Sequence, residues 1–294
     1  MTFTWRSVDP PPETRLGAGQ LLRVVLRGVP LIGVLLLGVL ATVVLRMIER
    51  PVFKLHRPWT PFITQWVCRA AFLILGMRHE VQGSPMIESG AVVANHSSWL
   101  DIFALNACKR VYFVSKSEVA DWPGIGTLAK ITGTVFINRD PREARVQTKL
   151  FENRLLIGHK LLFFPEGSST DGMRVLPFKS TLFQAFFSQP LRHRMRVQPV
   201  SVIYEAPPGT DPRFYGWWGD MNFGAHLVQV LGARRQGCVR VIYHPPVKVD
   251  EFADRKALAA AVEAQVRAGM PEDRRNGRSC GASAHRGNEA AQRC

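Results

Sequence analysis

His96 and Asp101 are two residues in this chain whose types and spacing suit catalysis. They bracket the run His96-Ser97-Ser98-Trp99-Leu100-Asp101. Five positions correspond to about one and a half helical turns. A histidine just outside a helix mouth, bent back over its first turns, would bring Nδ1 to the carboxylate and leave Nε2 as a general base. Taken alone, the pair fits a structural histidine equally well. Three later stretches change the balance. Gly133 to Arg139 reads as an apolar strand that delivers a cation at its end. Phe163-Phe164-Pro165-Glu166-Gly167-Ser168-Ser169-Thr170 runs a strand into a turn holding the Glu166 carboxylate, Gly167 and hydroxyls beginning with Ser168. Val197-Gln198-Pro199-Val200 is a strand carrying a proline. Singly, Arg139 can pair with Asp140 or Glu143, and Glu166 can cap a turn. Jointly, a base, a cation and a carboxylate from separate strands describe one substrate site.

The elements that must position these residues follow from the hydrophobic pattern. Apolar strand-like runs fall at 91–94, 111–114, 134–137, 160–164, 197–204 and 239–243. Helix-like segments lie among them, notably Pro141 to Gly158, Ser180 to Phe187 and Asp254 to Ala268. This alternation predicts an α/β fold, a mixed sheet flanked by helices. Strand C-termini are where an open α/β sheet assembles its site, and His96, Arg139 and Glu166 all follow such ends. Ser97 and Ser98 offer hydroxyls suited to capping the helix that continues through Leu100, Ile102 and Phe103.

Upstream, Val29 to Leu45 carries no charge and is flanked by Arg23, Arg27, Arg46 and Arg50. A membrane-spanning helix needs about 20 apolar residues, with roughly 17 as the lower bound. We read this stretch as an N-terminal membrane helix that is retained, because no small-residue cleavage site follows it. The next apolar stretch, Trp59 to Met77, presents Trp59, Phe62, Trp66 and Phe72. It reads either as an interfacial amphipathic helix or as a helix packed on the soluble domain. The expected division is an N-terminal leader and anchor over 1–78, a catalytic domain over 79–270 and a disordered basic tail over 271–294.

The formal net charge of +15 points to a polyanionic surface, nucleic acid or anionic lipid. A long apolar segment favours the membrane surface and no nucleic acid. The five cysteines form no C-x-x-C pair, so neither a disulfide framework nor a zinc site is expected.

Together these blocks resemble the glycerolipid acyltransferase family, that of the 1-acylglycerol-3-phosphate acyltransferases. His96 and Asp101 match its H-x4-D motif. Gly133 to Arg139 looks like its second block, Phe164 to Gly167 its F-P-E-G block, and Gln198-Pro199-Val200 its proline block. The resemblance spans roughly residues 75–250. It implies direct acyl transfer from an acyl-CoA or acyl carrier protein thioester to a lysolipid hydroxyl. The expected product is phosphatidic acid, and no resident cofactor is implied. His96 would act as the base, oriented by Asp101. Arg139 would hold an anionic headgroup, while Glu166, Gly167 and Ser168 shape the acceptor site. Backbone N–H groups at the helix start after Ser97 would face the oxyanion. The implied location is the cytoplasmic face of the inner membrane, where acyl thioesters are made. One departure stands out: no cation follows Gly167 until Arg174. The Ser168-to-Gly172 run, with Val175 to Ser180 and Trp218-Gly219-Asp220-Met221, is also similar to bacterial acyltransferases that finish ornithine lipids, which makes a lyso-ornithine lipid the alternative acceptor.

Other motifs carry less. Gly277-Arg278-Ser279-Cys280-Gly281 has the G-x-S-x-G spacing of a serine hydrolase but sits in the polar tail, without a strand before it. Gly124-Ile125-Gly126 begins a G-x-G-x-x-A run with no strand ahead of it, which argues against a dinucleotide site. A cysteine nucleophile would need Cys108 beside His96. A lipid-binding protein that keeps the fold without turnover is the non-enzymatic alternative.

Overall fold

The computed structural model describes residues 4–7, 17–138, 142 and 144–275. Arg139 and the Gly277 to Gly281 run lie outside the described residues. In chain order the elements begin with α1 (Ala18–Phe53), α2 (Thr60–Leu75), β1 (Arg78–Gln82), β2 (Gly90–Ala94), α3 (Leu100–Cys108) and β3 (Tyr112–Lys116). Next come α4 (Ile125–Thr132), β4 (Val135–Ile137), α5 (Ala144–Leu156), β5 (Leu161–Phe163), a 3-10 helix (Ser180–Phe187) and the short α6 (Gln189–Arg192). The chain continues with β6 (Arg196–Glu205), α7 (Phe223–Gly232), β7 (Cys238–Tyr243), β8 (Val247–Lys248), α8 (Arg255–Gly269) and α9 (Glu272–Arg275).

The strands form one sheet in the order β1-β7-β6-β2-β5-β3-β4, with β8 also pairing β6. The run from β6 through β4 is parallel, whereas β6 meets β7 and β8 antiparallel. The expected mixed sheet is therefore present. Its central strands read as unbroken apolar runs because both faces are covered. Along β2, Val92 and Ala94 join the core shared with α2, α3 and α7. Ala91 and Val93 point the other way, into the core of α5, α8 and the 3-10 helix. Pro199 would be disruptive in an ordinary central strand, because it has no N–H for the ladder. Here it falls where β6 exchanges its β8 partner for β7.

Two helices precede the sheet. By length and composition α1 is able to cross a membrane. One stripe of α1, Leu31, Gly38, Thr42 and Glu49, is buried, and much of the rest is exposed leucine, isoleucine and valine. Gly38 is required there: a Cβ would stand 2.4 Å from Val67 Cγ2 of α2. At the turn between the helices, buried Glu49 accepts the Trp59 and Thr60 N–H groups and the Thr60 hydroxyl. That places a carboxylate at the positive end of α2, where free N–H groups need acceptors. At the other end of α1, Arg23 and Arg27 donate to the Leu231, Gly232 and Ala233 carbonyls that close α7. The second apolar stretch forms α2, and the reading as a helix packed on the domain describes one of its faces. Val67, Cys68, Ala71, Phe72 and Leu75 are buried, whereas Trp59, Phe62, Trp66 and Leu73 form an exposed apolar stripe.

Order extends beyond the expected leader and tail boundaries. Residues 4–7 lie against the domain, with Arg6 paired to Asp220 at 2.8 Å. In α9, Arg274 Nη1 donates to the Tyr204 carbonyl.

Candidate active site

Parallel pairing of β2 with β5 aligns Val93 with Phe163. His96 and Glu166 each come three residues later, so the sheet register delivers them side by side. The His96 N–H donates to Glu166 Oε1 at 2.6 Å. Pro165 and Glu166 occupy the centre of a turn closed by the Gly167 N–H on the Phe164 carbonyl. Proline fixes φ at the first of these positions. Gly167, at φ 73°, then redirects the chain as other residues rarely can.

His96 Nδ1 and Asp101 Oδ2 are 2.7 Å apart. The Asp101 carboxylate is fully buried, and donors meet both of its oxygens. Oδ2 also accepts the Ser97 and Ser98 N–H groups, and Oδ1 accepts the Tyr204 hydroxyl at 2.7 Å. Of the N–H groups after Ser97 that were expected to face an oxyanion, that of Ser98 is committed to Asp101 and that of Leu100 to Ser98 Oγ. The predicted helix starts later than its serines, at Leu100, with Ser98 Oγ accepting the Leu100 N–H. Burial and the Asp101 charge push the Tyr204 phenol well above its ordinary range, so it remains a donor. The His96 ring stacks on Phe164, with centroids 4.1 Å apart and planes within 10°. Its side chain is 20% exposed. With Nδ1 held by a buried carboxylate, Nε2 is the nitrogen left for a substrate proton.

Glu166 is buried beneath this edge and does not present a carboxylate to the open site. Its second oxygen accepts the Leu176 N–H at 2.7 Å. Burial pushes its pKa up to about 8, against the pull of its two backbone donors. Glu166 therefore ties together the backbone at His96 and at Leu176. Ser168 Oγ accepts the Trp5 N–H at 3.0 Å and donates to the Ser169 carbonyl. The cation nearest in sequence after this turn, Arg174, forms a two-point pair with Asp171 at 3.2 and 3.0 Å.

Several residues of the site were not singled out from the sequence. Asn95 exchanges two hydrogen bonds with the Val202 backbone and so prolongs the β2–β6 ladder up to His96. Trp99 Nε1 donates to His226 Nδ1, and His226 Nε2 donates to the Phe214 carbonyl, pinning the His96–Asp101 loop to α7. Trp217 N–H donates to the Ser97 carbonyl. Its ring meets Trp122 and Phe223 edge to face, extending an aromatic wall that reaches Trp99.

Two competing readings lose their geometry. Cys108 Sγ lies beside His79 Nε2, and burial pushes its thiol up to about 11, far from a nucleophilic thiolate. Gly124 follows a 3-10 turn, Ser117–Asp121, and not a strand.

The acyltransferase family model matches residues 78–203. The chain is 57% identical over 269 residues to a protein of Rhodobacter capsulatus named lyso-ornithine lipid O-acyltransferase, covering 90% of this chain and 96% of that one. A protein of the same name from Brucella abortus is 37% identical, over 73% of this chain and 84% of its own. A 1-acyl-sn-glycerol-3-phosphate acyltransferase of Neisseria meningitidis is 31% identical, over 62% and 69%. The fold is similar to the crystal structure of a 1-acyl-sn-glycerophosphate acyltransferase from Thermotoga maritima. That match has a TM-score of 0.59 at 21% identity, over 85% of this chain and 95% of the other.

Proposed function

This chain belongs to the lysolipid acyltransferase family, and on that premise we propose that it transfers a fatty acyl group from a thioester to the free hydroxyl of a lyso-ornithine lipid. The chemistry rests on the geometry at His96, a ring with Nδ1 fixed by a buried carboxylate and Nε2 free. The acceptor rests on 57% identity, across nine-tenths of the chain, to a protein of that named activity. Phosphatidic acid synthesis, which the four sequence blocks favour, takes second place. It is supported by a more distant relative of that name.

In this reading His96 Nε2 takes the proton of the acceptor hydroxyl as its oxygen attacks the thioester carbonyl. A C–O bond forms, the carbonyl becomes a tetrahedral oxyanion, and Asp101 stabilises the imidazolium. Collapse breaks the C–S bond, and the departing thiolate takes the proton from Nε2. An ester and a free thiol result, with no acyl-enzyme. The donor is an acyl-CoA or an acyl carrier protein, and the aromatic wall of Trp99, Trp122, Trp217 and Phe223 offers the apolar surface for acyl chains. The site works at the cytoplasmic face of the inner membrane, anchored through α1 and the exposed stripe of α2.

Expression in a bacterial host that accumulates lyso-ornithine lipid tests the assignment. Mass spectrometry of its lipids should show ornithine lipid heavier by one acyl group, absent with His96→Ala. Unchanged ornithine lipids, with the protein present in the membrane, would contradict it.

A further inference from the structure

We propose that Arg174, with its charge compensated by Asp171, receives the headgroup carboxylate and selects a zwitterionic ornithine acceptor over a phosphate. The inference rests on the acceptor reading above and names the residues that would enforce it.

The loop carrying this pair is attached to the catalytic loop. Thr170 N–H donates to the His96 carbonyl at 3.0 Å, and a Cβ at Gly172 would stand 3.6 Å from Ser97 Cβ. Asp171 is 1% exposed, and its Oδ1 also accepts the Met173 N–H. The Arg174 side chain is 26% exposed. Nε and Nη2 face Asp171, and the guanidinium carbon lies 5.0 Å from the centre of the Trp5 ring. Trp5 is itself held to Ser168. The guanidinium is thus fixed along one edge and one face, and among the described residues Nη1 and the outer edge are left to a ligand. A fixed planar fork suits a carboxylate.

Charge then decides between acceptors. Ornithine acylated on its α-nitrogen keeps one carboxylate and one ammonium, with no net charge. A phosphate monoester carries about −1.5 to −2 near neutral pH. The Arg174–Asp171 pair is neutral as a unit, so it offers directed N–H donors without the surplus positive charge that a phosphate needs. The buried Asp171 carboxylate also repels a dianion placed on the same guanidinium. The ornithine ammonium, three methylenes away from the α-carbon, stays in solvent.

The test measures kcat and KM separately for lyso-ornithine lipid and lysophosphatidic acid, using purified protein in detergent micelles with an acyl thioester. Arg174→Gln should raise KM for lyso-ornithine lipid by about tenfold or more, with kcat changed by less than about threefold, as expected for losing a hydrogen bond to a charged group. Asp171→Asn keeps an acceptor for Met173 but releases the arginine charge. It should shift the ratio of kcat/KM toward lysophosphatidic acid by about tenfold. A wild type that acylates lyso-ornithine lipid, with variants that keep its KM and acceptor ratio, would overturn this assignment and leave the acceptor reading standing. A wild type inactive on lyso-ornithine lipid would overturn both. If Asp171→Asn does not fold, Arg174→Gln decides alone, and an unchanged KM overturns the proposal.

Discussion

At His96 one ring nitrogen is bound inside the protein and the other is not, and the proposed activity depends on that difference. Replacing His96 by alanine removes the base and should lower kcat by about 10²–10⁴-fold. Circular dichroism should be unchanged, since the imidazole only stacks on Phe164 and meets Asp101. Tyr204→Phe tests the support beneath it. One Asp101 oxygen would lose its buried donor, at a cost of about 1–3 kcal/mol of stability. Thermal unfolding should shift downward, and kcat should fall while KM for the acceptor holds. His96 and Asp101 were legible in the sequence because their relation is local: five positions with a helix start between them. Tyr204 was not, because its partner lies 103 positions away. The alternating pattern of β6 could put it on a face with Val200 and Val202, but only the sheet order brings that face to Asp101. Glu166 was legible as a site residue, yet its burial was not. Its role is to bind the backbone at His96 and Leu176.

Between elements, the contact of α7 with the His96–Asp101 loop has a pH signature. His226 links Trp99 to Phe214, and burial pushes its pKa down to about 4. His159, stacked on Tyr112, is pushed down to about 3 by burial, with the Arg154 charge adding. An unfolded chain protonates histidine near 6.5. As pH falls from there toward 4, the unfolded state takes up protons that the folded state refuses, and stability falls. Above 6.5 neither state is protonated, and the full stability is present. Melting temperature should therefore drop between about pH 6.5 and 4, and His226→Gln should flatten part of that slope. An unchanged slope would mean that His226 is not held neutral. Strands were readable as apolar runs bounded by turns. β1, with the polar sequence Arg-His-Glu-Val-Gln, and the two-residue β8 were not. The α1–α2 join was also hidden, because Glu49 reads as one charge beside an apolar run until its partners at Trp59 and Thr60 are seen.

At the scale of the whole molecule, the α/β class and the apolar N-terminal helix could be read directly from hydrophobic pattern. The path of the first residues could not. Trp5 and Arg6 look like an unremarkable leader, yet they bind Ser168 and Asp220 across the chain. Membrane association is expected to depend on the exposed side of α1. Leu36 and Leu40 lie on that side, so Leu36→Glu with Leu40→Glu should release protein into the soluble fraction after cell fractionation while leaving the fold intact. Persistent sedimentation with membranes would assign the anchoring elsewhere. The activity proposed for the molecule is base-assisted transfer of an acyl group to the hydroxyl of a lyso-ornithine lipid. It is tested most directly with purified protein, a labelled acyl thioester, and lyso-ornithine lipid and lysophosphatidic acid offered side by side. Label should enter ornithine lipid ahead of phosphatidic acid, with His96→Ala close to background. Label confined to phosphatidic acid, or full activity in His96→Ala, would contradict it.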